Sequence, residues 1–297
     1  MLLPLEAVPN FSEGRDRRTI DAIGAALETH ADVLDVHSDE DYNRSVFTLV
    51  GSETEVADAL LAAVAVARAR IDLRRHQGVH PRIGAADVVP IVPIRPEDME
   101  RARATALTLA ERIGGELELP VFLYGELGGG RNPAFFRRGG QAELQRRIDT
   151  EELAPDFGPG QLDERAGGVL VGARAPLIAF NVNLAGDDLE AAREVARAVR
   201  ERDGGFAGVR ALGLRLPRSG HVQVSLNVED WGASPLHEVV AAVHRETAAR
   251  GLHVTGSELV GLLPAGAAVA AAGSLLGVTG LDPSHVLELR LLSDEEE

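Results

Sequence analysis

The stretch PLIAFNVNLAGDDLEAAREVARAVRER, residues 176–202, decides the fold. Leu177–Asn183 is a short apolar run that reads as a strand, and Leu189–Arg202 spaces its apolar residues as a helix does. Toward the C-terminus, Val209–Leu216 and His221–Asn227 read as a pair of strands, Pro235–Arg250 as a helix and Thr255–Leu259 as a last strand. The order βαββαβ is that of a ferredoxin-like unit, in which helices cover one face of a mainly antiparallel sheet. Toward the N-terminus the ingredients are similar, with extra elements. Leu5–Val8 reads as a strand, Pro9–Gly14 as a loop, Arg17–Thr29 as a helix, and Val33–Val36 and Arg44–Val50 as strands around the polar turn Ser38–Tyr42. Helix Glu53–Ile71, strand Asp87–Val92, helix Pro96–Ile113 and strands Val121–Tyr124 and Val169–Val171 follow. Gly125–Gly140 reads as a loop rich in glycine and arginine and Ala154–Gly160 as a second one, either covering a pocket or merely connecting elements. Arg174-Ala175-Pro176 is the expected junction, giving domains 1–175 and 176–297 of an α+β protein.

Composition narrows the chemistry. With 297 residues the chain exceeds the usual ~100–200 residues per domain, which agrees with two. Cysteine is absent, which excludes disulfides, thiolate nucleophiles and cysteine-ligated metals. Lysine is absent too, so all 30 basic residues are arginine. A lysine Schiff base and a Walker-type phosphate loop are thereby excluded. A net charge of −16 argues against nucleic-acid binding but permits anionic small molecules, whose recognition is local. The N-terminus lacks a basic segment followed by a long apolar run, and the apolar stretch Ala265–Val278 is short and glycine-rich. A soluble, cytoplasmic protein without membrane association is expected.

The expected chemistry sits in RRHQGVHPRIGAAD, residues 74–87. Gly78 and Pro81 oppose a helix, so His80 and Arg82 are placed on a loop. Imidazole is the side chain that titrates nearest neutral pH, and guanidinium is a fork for carboxylates, so acid/base work on an anion is the first reading. His76 and His80 are four apart, which on a helix would present a metal pair, but Gln77 stands where a zincin has glutamate and the helix is opposed. A histidine that merely closes the loop is the other alternative. Asn43-Arg44 opens a strand, where the arginine could clamp a carboxylate or make a surface salt bridge. Gly167-Gly168 and Gly172-Ala173-Arg174 bracket an apolar run, either as close backbone approaches to a flat ligand or as ordinary turns. Gly128-Gly129-Gly130-Arg131 lacks the strand, glycine turn and helix of a dinucleotide fingerprint. His221, His237, His244, His253 and His285 have no metal-ligand spacing, and Ser293-Asp294-Glu295 reads as a solvated acidic tail.

Five segments carry a family resemblance: VPNFSEG from Val8, SDEDYNRSVFTLVG from Ser38, IDLRRHQGVHPRIGAADVVPIVPI from Ile71, APDFGP from Ala154 and GARAPLIAFNVNL from Gly172. Together they resemble the glutamate formimidoyltransferase, or formiminotransferase, family, in order from about residue 6 to 264. The resemblance implies two ferredoxin-like subdomains with a ligand groove between them, usually in a homodimer. It implies transfer of a formimino group between N-formimidoylglutamate and N5 of tetrahydrofolate, with the folate as co-substrate and no metal. His80 matches the family's catalytic histidine. Arg82, Asn43 and Arg44 fall on its shared polar motifs and are expected to bind substrate. Gly167, Gly168, Val169, Leu170, Val171, Gly172, Ala173 and Arg174 fall on its folate-binding segment, with Asn181 and Asn183 as amide partners for the pterin. The sequence departs at Val79, where the family usually has glutamate before the catalytic histidine, and Gly125–Gly140 is shortened. No cyclodeaminase domain follows, so a monofunctional form is expected. A folate-binding homologue without transferase activity and a transferase for another formimino donor are the alternatives.

Overall fold

The computed structural model describes residues 3–294. The chain divides into two compact units, one ending at Ala175 and one running from Pro176. The N-terminal unit contains β1 (Leu5–Ala7), β2 (Asn10–Phe11), α1 (Arg17–Glu28), β3 (Asp32–Asp39), β4 (Arg44–Gly51), α2 (Glu53–Arg70), β5 (Ala86–Pro93), α3 (Met99–Glu116), β6 (Val121–Leu123), α4 (Pro133–Arg137), α5 (Gly140–Asp149) and β7 (Val169–Ala173). β1 and β2 are two pieces of one strand interrupted around Pro9, and both pair with β4 and β5. The sheet runs β3, β4, β1 with β2, β5, β7, β6; its pairings are antiparallel except β5 with β7 and β7 with β6.

Local chemistry explains where the helices start. Asp16 caps α1 by accepting from the Arg18 N–H and the Thr19 hydroxyl. Ser52 and Glu55 form a capping box on α2, in which the Glu55 carboxylate takes the Ser52 N–H at 2.8 Å. α2 packs against α1, α3 and the sheet, and buries Val56, Ala59, Leu60, Ala63, Val64 and Ala67. A helix with neighbours on several sides needs small apolar residues around most of its circumference, hence its alanine-rich sequence.

The opposite face of the β5–β7–β6 region is covered as well. Phe136 of α4 and Leu144 of α5 pack there with Ile83, Val88, Phe122, Tyr124 and Leu170. With both faces covered, all eight residues of β5 are buried, as parallel-paired strands usually are. Gly125–Gly140 is therefore not loop throughout, since Pro133–Arg137 within it forms α4. Asn132 accepts the Phe135 N–H at 3.1 Å, and Pro133, needing no donor, starts α4. β3 runs three residues past Val36, because His37, Ser38 and Asp39 stay paired with Val46, Ser45 and Arg44 of β4 although the sequence there is polar.

The C-terminal unit contains β8 (Ile178–Leu184), α6 (Leu189–Val199), β9 (Val209–Leu216), β10 (His221–Val228), α7 (Leu236–Ala249), β11 (Val254–Val260), α8 (Ala265–Leu276) and α9 (Leu287–Asp294). Its sheet runs β11, β8, β10, β9, all antiparallel. Val182, Leu184, Val222, Val224 and Leu226 form a core with Val195 and Val199 of α6 and Val239 and Val243 of α7. Gly213 admits α6: a Cβ there would lie 2.4 Å from the Arg193 nitrogen. Counting β1 with β2 as one strand, both units trace βαββαβ and place the strands in the order fourth, first, third, second. Ser293 and Asp294 are the last residues of α9, while Glu295 lies outside the described residues. Among the described residues no helix is long and apolar enough to cross a membrane.

Leu60 is fully buried, so Leu60→Ala is expected to cost about 2–5 kcal/mol and Ser52→Ala about 1 kcal/mol, read from urea unfolding.

Candidate active site

Three separated segments meet at Asn43. Its backbone, with φ of 48°, sits in the left-handed region that asparagine tolerates. Its side-chain oxygen accepts the Gly14 N–H at 2.9 Å, and its amide donates to the Gln77 carbonyl at 3.1 Å. The turn between β3 and β4 is thereby tied to the loop before α1 and to the histidine loop. Gly78 permits that contact, since a Cβ there would lie 2.2 Å from the Tyr42 carbonyl oxygen. Further along, Gly84 and Gly167 bridge, and Ser12 donates to the Gly84 carbonyl at 2.7 Å.

The two histidines have different partners. Arginine only donates, so the Arg82 guanidinium on His76 Nδ1 marks that nitrogen as unprotonated and leaves the proton on Nε2. Nε2–H then donates to the Asn43 carbonyl at 2.9 Å. With both nitrogens engaged, His76 is a neutral strut, and burial followed by the Arg82 charge holds its pKa below the ordinary value. His80 is different. Its Nε2 accepts from Arg44 at 2.9 Å, which places its proton on the buried Nδ1. Tyr42 stacks on the ring at 5.7 Å. Burial first, then Arg44, Arg137 and Arg82, push the His80 pKa well below its ordinary value, while the Pro81 carbonyl opposes them.

Arg82 closes the loop on itself, donating to the Tyr42 and His80 carbonyls as well as to His76. Burial lowers both Arg44 and Arg82 to about 10, so each remains a cation at neutral pH. No carboxylate pairs with either among the described residues. Arg137, from α4, is the guanidinium that composition and motif reading overlook. It pairs with the buried Asp87, whose other oxygen accepts the Ile83 N–H at 2.7 Å. Asn132-Pro133 before two phenylalanines is the helix-start signal that points to it. Three guanidiniums, one of them paired with a carboxylate, thus act on a neutral imidazole.

The other expected residues are placed differently. Val169, Leu170, Val171 and Ala173 are buried in β7, a strand paired on both sides, so their side chains belong to the cores. Gly172 packs on the Tyr124 ring, leaving Gly167, Gly168 and Arg174 at the ends of the strand. Asn181 and Asn183 belong to the C-terminal unit, where Asn181 donates to Glu258 at 3.1 Å and Asn183 accepts from Gln223 at 2.8 Å. The segment APDFGP is structural: Asp156 accepts the Leu123 N–H at 2.7 Å, and the Phe157 carbonyl accepts the Val121 N–H at 2.9 Å. No group of three or more His, Asp or Glu side chains that could hold a metal ion occurs among the described residues.

Residues 4–174 match the formiminotransferase domain, N-terminal subdomain, and residues 179–277 match the formiminotransferase domain. The chain belongs to the formiminotransferase family. It is similar to the glutamate formimidoyltransferase of Thermoplasma acidophilum, 37% identical over 97% of each chain. It is also similar to the glutamate formimidoyltransferase of Streptococcus pyogenes serotype M1, 37% identical over 97% of this chain and 98% of that one. The formimidoyltransferase-cyclodeaminase of Sus scrofa is 40% identical over 88% of this chain, which spans 50% of that relative. In this formiminotransferase-family chain the position before His80 is Val79, so no carboxylate side chain is supplied from that position.

Val79→Glu is expected to raise the His80 pKa, since a neighbouring carboxylate favours the imidazolium; an NMR pH titration of the ring checks this. Asp87→Asn leaves the mostly buried Arg137 uncompensated and is expected to cost about 3–5 kcal/mol in urea unfolding.

Proposed function

We propose that the chain transfers a formimino group between N-formimidoylglutamate and N5 of tetrahydrofolate, with His80 carrying the proton. The observation behind this reading is a neutral imidazole among Arg44, Arg82 and Arg137 with Asp87 as the paired carboxylate. Buried cations in excess of their counterions favour an anionic ligand, and glutamate and the folate tail both bring carboxylates. The names of relatives that match nearly the whole chain supply the group that is transferred.

In the proposed reaction N5 attacks the formimino carbon and forms the new C–N bond. The tetrahedral adduct collapses by breaking the bond to the glutamate nitrogen, which leaves as an amine. On balance the proton lost by N5 is delivered to that nitrogen. A neutral imidazole takes the first proton and returns it as an acid, a contribution on the order of 10²–10⁴-fold. Holding both substrates in line supplies more. Asn43 shapes the turn that presents Arg44, and Arg82 keeps His80 in place while adding charge. Folate recognition is assigned to Gly167, Gly168 and Arg174, at the ends of β7. The same reading includes two ferredoxin-like subdomains with a ligand groove, a metal-free reaction and a cytoplasmic homodimer.

His80→Ala is expected to lose at least about a hundredfold in turnover while keeping its folate affinity. The assay follows 5-formimidoyltetrahydrofolate formed from N-formimidoylglutamate, and wild-type turnover in that variant would sink the role of His80. A wild-type protein that binds folate but forms no product would identify a binding homologue.

A further inference from the structure

We propose that Arg44 is a carboxylate-operated latch on His80: in the free protein its guanidinium occupies the imidazole Nε2, and a substrate carboxylate that takes over the guanidinium releases that nitrogen as a base. The inference rests on the transfer reading above and adds to it the event that switches the base on.

Neutral imidazole has one in-plane lone pair for accepting a proton. In His80 that lone pair points at Arg44, and the other nitrogen carries the proton, so the ring cannot act as a base until the 2.9 Å contact breaks. Arg44 has reason to exchange partners. It is a cation without a paired carboxylate among the described residues, bonded to a neutral acceptor. A guanidinium–carboxylate hydrogen bond is shorter and roughly twice as strong as a neutral one, so an arriving carboxylate competes well for it.

The surroundings make the side chain the movable part. Arg44 is the first residue of β4, where its backbone is in register with Asp39 of β3, and the adjoining turn is fixed by the Asn43 side chain. The guanidinium lies 5.9 Å from the centre of the Tyr42 ring, and the same ring stacks on His80. It can leave the imidazole and stay over that aromatic face, where a cation is favoured.

Release changes the field as well. His80 is faced by Arg44 from β4, Arg82 from its own loop and Arg137 from α4, with the Pro81 carbonyl opposing them. A carboxylate on Arg44 cancels the nearest of these charges and makes the imidazolium less costly. The base is therefore available when its substrate is bound.

The test is an NMR titration of ¹⁵N-histidine-labelled protein with and without glutarate, a dicarboxylate with no group to transfer; His80→Ala assigns the signal. Saturating glutarate is expected to raise the His80 midpoint by about one pH unit or more, a tenfold gain in proton affinity. In Arg44→Met the free protein is expected to titrate higher than free wild type, and glutarate is expected to add little. An unmoved His80 in wild type with glutarate, an equal rise in Arg44→Met, or no glutarate binding at millimolar concentration would overturn the latch. Turnover is not needed for this readout. A protein that shows the shift but transfers no formimino group would refute the transfer reading alone, and an active protein with an unmoved His80 would refute the latch alone.

Discussion

The candidate site depends on the Asp87 carboxylate. It stands at the start of a strand buried on both faces, and its two oxygens hold two different parts of the chain: the Ile83 N–H at the end of the histidine loop, and the Arg137 guanidinium of α4. A fully desolvated carboxylate is tolerable only when its lone pairs are used, and the same holds for the guanidinium opposite. The pair therefore fixes where the loop ends, where α4 docks and how much positive charge remains beside His80. Arg44 and Arg82 are left without such a partner, and the proposed reading uses that imbalance to bind an anion.

Much of the architecture follows from patterns that the sequence displays openly. The run from Leu177 to Leu259 alternates and spaces its apolar residues as a βαββαβ unit must, and the structure has that order. Gly78 and Pro81 placed His80 on a loop for a reason that holds in space, since a side chain at 78 would strike the Tyr42 carbonyl. Glycine- and arginine-rich composition hid α4, because composition averages over a segment whereas a helix start is a local event at Asn132-Pro133. The length of β3 was hidden because His37-Ser38-Asp39 is polar, whereas its pairing with Arg44–Val46 exists only once the hairpin has closed. Arg137 was not legible in the histidine motif because its link to Asp87 spans 50 residues and exists only after folding.

Val79 bears on the same charge balance. With a glutamate side chain beside the histidine, the imidazolium would have a local counterion. Here the ring meets burial and three guanidiniums instead, and it is neutral with its accepting nitrogen held by Arg44. A neutral ring is the form that takes a proton from an attacking amine. The departure is compatible with the proposed base, and in that reading an arriving carboxylate takes over stabilising the resulting cation.

The absence of lysine has a consequence inside this site, whatever its origin in the genome. Burial lowers Arg44 and Arg82 from 12.5 to about 10, which leaves both charged at neutral pH. A lysine starts at about 10.4, and the same lowering would bring it to about 8, within reach of losing its proton. Only a guanidinium keeps its full charge there while a neighbouring imidazole is driven neutral. The same burial thus leaves the arginines charged and His80 uncharged.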